Sequence, residues 1–171
     1  LVGEILGGGK TSRLYERLVY RERLADSAGA GQSPLEIAGL FTLSADVKQG
    51  VPIARVEAAM MEELQRFIDK GPTKAELERA RVAIRAGFVR GLERIGGFGG
   101  KADVLASCEV YAGDPGCYRQ SLEWIEAATP ADLQRVARQW LSQGDYTLEV
   151  LPQPSFAAAA TAAVDRKPGP P

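Results

Sequence analysis

Between Pro52 and Leu92 the sequence leaves little freedom of secondary structure. Ile53, Val56, Met60, Leu64, Phe67 and Ile68 recur at the spacing that gathers them on one face of a helix. Pro52 suits the first turn and Gly71 the stop. Two residues on, Thr73 and Glu76 have the spacing of a capping box. In that motif the threonine hydroxyl accepts from a first-turn N–H, and the carboxylate accepts from the backbone of the cap. A second helix is therefore predicted, with Leu77, Ala80, Ile84, Phe88 and Leu92 along it. Two apolar stripes of this length need another layer to cover them.

The flanks supply candidates for that layer. Ser12 is a plausible cap for a helix running to about Leu24, with Leu14 and Leu18 on one face. GLFTLSADV alternates Phe41, Leu43 and Ala45 and reads as a strand. ADSAGAGQS reads as its partner around a turn at Ser33-Pro34, its small residues suited to close packing of a helix. Gly96-Gly97 and Gly99-Gly100 break the helical run before a helix bearing Val104, Leu105, Cys108 and Tyr111. AGDPG turns the chain into a short helix with Tyr118, Leu122 and Ile125. Thr129-Pro130-Ala131-Asp132 starts another, with Leu133, Val136, Ala137, Trp140 and Leu141 on its buried side and Gly144 as its stop. YTLEVLP alternates as a final strand. The pattern is α+β: helices on one face of a small, mostly antiparallel sheet. Strands are few for so many helices, so a first strand before Leu1 is expected. Residues 1–151 form the domain, and 152–171, rich in Ala and Pro, read as a linker or tail.

Composition narrows the chemistry. The 171 residues are 45% hydrophobic and 25% charged, with a formal net charge of -1. This is globular composition without the basic excess of a nucleic-acid binder, and no run of about 18 apolar residues suggests a membrane span. There is no histidine. Serine and cysteine triads, imidazole bases and the usual ligands of catalytic zinc are thereby excluded from the chain itself. Cys108 lies in a predicted helix and Cys117 in the loop GDPGC. Free thiols are expected, and a disulfide stays open because the loop could bring the two together.

Other candidate sites reduce to structure. GGGKTS imitates the end of a phosphate loop at Lys10-Thr11, but Glu4 occupies the position of the required first glycine. A turning pre-helical segment is the better reading. Glu62-Glu63 and Glu76-Glu78 read as capping and solubility residues rather than a catalytic carboxylate pair, and Asp26 as a turn or ion-pair residue. Trp124 and Trp140 read as core or interface anchors.

The order of segments resembles the pitrilysin/insulinase-type (inverzincin) zinc metallopeptidases. LGGGKTSRLYERLVYRERLADSAGAG is similar to their glycine-rich, Ser-Arg-Leu helix-to-strand segment and GLFTLSADV to the strand that follows. GPTKAELERAR resembles the start of the family's long helix, and ATPADLQRVARQWL with YTLEVLP its last helix and strand. The likeness runs from Leu1 to Pro152 and implies the LuxS/MPP-like metallopeptidase fold. In that family paired domains enclose a chamber, and zinc is held by His-x-x-Glu-His and a distal glutamate.

Lacking histidine, this chain resembles the non-catalytic second domain of a larger bacterial protein, VDRKPGPP looking like the connector onward. The resemblance implies no catalytic, cofactor or metal residues here. Zinc is expected in the parent's catalytic domain, which with a peptide substrate is the implied partner. The Arg and Tyr that serve the family's C-terminal half fall at Val19 and Asp26, so that role does not transfer. Arg13 and Tyr15 are candidate inter-domain contacts. An extracytoplasmic compartment, such as the bacterial periplasm, is favoured. The alternative is a structural or accessory subunit of the same fold with no proteolysis.

Overall fold

The computed structural model describes residues 1–152. The expected linker beyond Pro152 lies outside the described residues. Helix α1 (Val2–Gly7) opens the chain, followed by a turn and a π-helical segment, Tyr15–Arg21. Strands β1 (Ala25–Pro34) and β2 (Gly39–Val47) form an antiparallel hairpin with Ala28 opposite Ala45 and Ala30 opposite Leu43. Then come α2 (Ile53–Lys70), α3 (Lys74–Gly91), α4 (Lys101–Ala112), α5 (Tyr118–Ala127) and α6 (Pro130–Trp140). The architecture is α+β, helices packed on a small antiparallel sheet.

The small residues of β1 have a physical use. A Cβ built on Gly7 would lie 1.8 Å from the Ala30 backbone nitrogen, and one on Gly3 would lie 3.3 Å from the Gly31 Cα. Helix α1 therefore lies directly on the backbone of Gly29–Gly31, and a larger residue at Gly7 would separate the layers. Beneath it Leu6, Leu14, Leu18, Leu24, Val56 and Phe67 are the large side chains most fully removed from water. Each contributes about 1.5–3 kcal/mol of apolar burial.

Both capping boxes form. Thr73 and Glu76 exchange hydrogen bonds at the start of α3, and Thr129 and Asp132 do so at the start of α6. Gly71 ends α2 at φ 68°, in the left-handed region that glycine occupies without Cβ strain. Side chains from α6 satisfy the α2 terminus: the Gln134 amide donates to Asp69 O at 2.6 Å and Arg138 to Ile68 O at 3.3 Å.

Several expectations change. Ser12 does not cap a long helix. Its hydroxyl donates back to Gly9 O at 2.6 Å, closing a turn, while α1 lies earlier in the chain. The segment after it widens to π geometry, with Glu22 N–H donating to Arg17 O. The hairpin turns at residues 35–38 rather than at Ser33-Pro34. Pro52 is the cap of α2, with extended φ/ψ, not a first-turn residue.

Helix α6 ends at Trp140, before Gly144, and exposes Trp140 instead of burying it. Residues 145–151 pair with nothing among the described residues, so the predicted last strand has no sheet partner. Cys108 and Cys117 form a disulfide with Cα atoms 5.4 Å apart, against the expectation of free thiols. The turn between α4 and α5 brings them together, which their sequence separation alone left undecided.

Candidate functional site

The most concentrated polar constellation lies where the π-helical segment meets α2 and the start of α3. Arg13 Nε donates to Glu76 Oε1 at 2.7 Å and its Nη2 to Oε2 at 2.9 Å, a two-pronged pair. The same Nη2 donates to Gly71 O at 3.0 Å, and the guanidinium lies 5.1 Å from the centre of the Phe67 ring. One turn on, Arg17 donates to Glu62 at 2.5 Å, to Glu22 at 2.7 Å and to Ala59 O at 3.0 Å. Between the two arginines sits Glu63, only 2% exposed. Arg66 Nη1 is 3.1 Å from it, Arg17 Nη1 3.8 Å and Arg13 Nη1 3.9 Å.

An open groove of about 330 Å³ runs over this cluster, edged by Arg21, Arg66, Lys70 and Thr73. Its chemistry is that of a clamp. The Arg13 guanidinium, with the Thr73 backbone and hydroxyl, outweighs burial and holds the Glu76 carboxyl down at about 2. A carboxylate so acidic is a poor proton acceptor near neutrality, where a useful general base titrates closer to the working pH. Glu63 has three guanidiniums 3.1 to 3.9 Å away, but its buried Oε2 accepts no hydrogen bond among the described residues. Charges buried this way need their partners, and removing one leaves the others uncompensated.

The sequence-based site residues part company here. Arg13 is turned inward onto Glu76, whereas half-buried Tyr15, two residues on, makes no hydrogen bond among the described residues. The structure does not join them in one site. Lys10 and Thr11 are exposed in a turn that follows a helix, not the strand a phosphate loop requires. Glu63, read as a solubility residue, is instead the buried centre of the cluster, and Glu76 serves both as cap partner and as ion pair. Arg17 was missed. Its signal was the spacing Arg13, Arg17 on one helical face facing paired glutamates.

Zinc does not fit these residues. Both thiols are consumed in the disulfide, and among the described residues no group of three His, Cys, Asp or Glu side chains is placed to hold a metal ion. No described helix is long and apolar enough to cross a membrane.

The second notable surface is apolar. Val82 and Val89 of α3, Ile95 and Phe98 of the glycine-rich loop, Val110 and Tyr111 of α4, Trp124 of α5 and Trp140 of α6 all face outward. Helix α5 buries none of its residues and α4 only Cys108. Apolar exposure on this scale marks a contact surface more often than a free one.

Helices packed on an antiparallel hairpin, with a polar clamp at the α2–α3 corner, give the chain the form of an α+β domain. A family model described as Peptidase M16 inactive domain matches residues 1–84. Over those residues the chain is similar to the inactive domain of the pitrilysin/insulinase (M16) family. Three solved structures share the fold. A protease from Helicobacter pylori superposes with TM-score 0.71 at 23% identity, over 82% of this chain and 33% of its own length. A peptidase M16 inactive domain from Pseudomonas fluorescens gives 0.65 at 17%, over 81% and 32%. The periplasmic protease PqqL from Escherichia coli gives 0.56 at 13%, over 75% and 14%. The chain thus spans a third or less of the length of these proteins. A search of curated protein sequences returned no significant match.

Proposed function

We propose that this chain is the supporting domain of a zinc-dependent metalloendopeptidase, packing against a separate catalytic domain and forming part of the chamber that admits peptides. The observation that carries the reading is the set of large apolar side chains left exposed between α3 and α6, among them Phe98, Tyr111 and Trp124. Aromatic side chains left in water on helices that bury little of their own mass are the usual anchors of an interface. The polar clamp supports this role from behind: it fixes the α2–α3 corner from which those helices extend. Hydrolysis then belongs to the catalytic domain, where a metal-bound water supplies the nucleophile. The Cys108–Cys117 disulfide favours an oxidising, extracytoplasmic compartment.

The test mixes the purified chain with a domain of the same proteome that carries His-x-x-Glu-His. A one-to-one complex by sedimentation is expected, weakened at least tenfold by Trp124→Ala or Phe98→Ala. Unstructured peptides with added zinc should be cleaved by the complex and not by the chain alone. Saturable cleavage by the metal-loaded chain alone would overturn the proposal. A complex without cleavage would move it to an accessory subunit.

A further inference from the structure

Helix α4 is fastened at its two ends by different means. At its start the hydrogen bonds run back into the glycine-rich loop. Lys101 N–H donates to Arg94 O and Ala102 N–H to Ile95 O, each at 3.0 Å, and Asp103 Oδ2 accepts from Gly99 N–H at 2.7 Å. That loop turns at Gly97 (φ 80°) and Gly99 (φ 72°), where glycine rotates without Cβ strain. Toward its other end the tie is the Cys108–Cys117 disulfide. Among the described residues no side-chain hydrogen bond or ion pair joins α4 to another helix, and Cys108 is the residue it buries.

Helix α5 is held otherwise. Arg81 of α3 donates to Ile125 O and Glu126 O, and Phe88 of α3 stacks on Tyr118. Opening the disulfide therefore detaches the far end of α4 while α5 keeps its ties to α3. The glycines act as the hinge and the sulfurs as the clasp.

The clasp lies within reach of a reductant. Cys117 is half-buried beside the exposed turn at residues 113–115, whereas Cys108 is buried. One thiolate of a dithiol attacks Cys117 Sγ. The Sγ–Sγ bond breaks, its electron pair leaves on Cys108 Sγ, and that sulfur takes up a proton. The second thiolate of the reductant then attacks its own sulfur in the mixed disulfide and displaces Cys117. The reductant departs as a disulfide, two electrons poorer. Cys117 is left at the N-cap of α5, where the helix dipole favours a thiolate.

We propose that Cys108–Cys117 is a reversible redox clasp. Oxidised, it holds α4 on α5 and completes a docking surface that includes Leu105, Val110 and Tyr111. Reduced by a dithiol, it releases α4 and weakens docking. The docking part rests on the function proposed above; the release of α4 does not.

The experiment compares the oxidised 171-residue chain with the same chain reduced by dithiothreitol and then reoxidised. On reduction, amide exchange in α4 should accelerate at least tenfold more than in α5, with α2 unchanged, and should slow again on reoxidation. The rate of reduction should not change with urea below the unfolding transition, because the core need not open. A steep rise with urea would mean that the bond is reached only by global unfolding, and overturns the clasp. Cys117→Ser should exchange like the reduced chain and bind the catalytic domain at least fivefold more weakly than the oxidised chain. Should that variant misfold, the reduced chain carries the same comparison. Equal acceleration in α4 and α5, or equal binding by oxidised and reduced chains, overturns the proposal. Binding by neither form overturns the docking function and the gate with it. The two failures are told apart by α4 exchange, which is read without a partner.

Discussion

Residues 1–80 and residues 81–128 are both largely helical, yet they are held together by different physics. In the first region α1, the π-helical segment, the hairpin and α2 close around Leu6, Leu18 and Phe67. Apart from Leu133 and Ala137 of α6, every member of the main core lies between Ile5 and Ala80. In the second region α3 runs out of the core after Ala80, and α4 and α5 are held by a few ties. These are the Cys108–Cys117 disulfide, the Phe88–Tyr118 ring pair at 5.8 Å, and Arg81, which donates to Ile125 O at 3.0 Å and Glu126 O at 2.7 Å. Burial is cooperative, because each side chain excludes water from its neighbours. Local ties are not, so the second region leaves its apolar side chains exposed and should open more easily.

The widest separation between the regions should come from paired truncations. Phe67→Ala is expected to cost about 3–5 kcal/mol of unfolding free energy, because a fully buried ring leaves a cavity. Trp124→Ala, 67% exposed, should change the free chain by no more than about 0.5 kcal/mol. Equal losses in urea titration would abolish the distinction.

Close approach sharpens it next. Gly7→Ala drives a Cβ into the β1 backbone and should cost roughly 3 kcal/mol, the upper end for overpacking. Its signature is a chemical-shift change along Gly29–Gly31.

The disulfide bears on the second region only. Reduction, or Cys117→Ser, releases a short loop and should remove about 2–3 kcal/mol of local stability. Amide exchange should accelerate in α4 and α5 while that of α2 stays slow. Uniform acceleration through both regions would show one cooperative unit instead of two.

Acid probes the clamp of the first region. Glu76 is held near 2 against an ordinary value of 4.5, so its contribution is complete above pH 4.5 and is lost as the pH falls from there toward 2. After allowance for the solvent reaching the pair, the loss is on the order of 1–2 kcal/mol. Glu76→Gln should lower stability at pH 6 and flatten the acid slope. An unchanged slope would place the acid sensitivity elsewhere.

The smallest effect is a gain. Gly87 stands mid-helix in α3 with open space where a Cβ would be, and Gly87→Ala should stabilise by about 0.5–1 kcal/mol. Thermal melting is enough to read it.

Local chemistry was legible in the sequence wherever the interacting atoms are close along the chain. The Thr73–Glu76 and Thr129–Asp132 boxes, the Gly71 stop, the hairpin strands and the small residues of β1 all belong to this class. A cap needs only its own first turn, and a missing Cβ is missing in any context. The absence of histidine was equally decisive, because no fold can supply a side chain the chain lacks.

Tertiary structure decided what depends on distant partners. Glu63 and Arg13 are fifty residues apart in sequence, so spacing within one helix made Glu63 look like a surface residue while packing enclosed it among three guanidiniums. Trp140 reads with the apolar stripe of α6, but Ala137 and Leu141 take the packed positions and the Trp140 ring ends in solvent. The last segment, alternating as a strand should, has no neighbour to pair with among the described residues. Periodicity names the face a residue occupies; only a second element, present or absent, determines whether that face is buried.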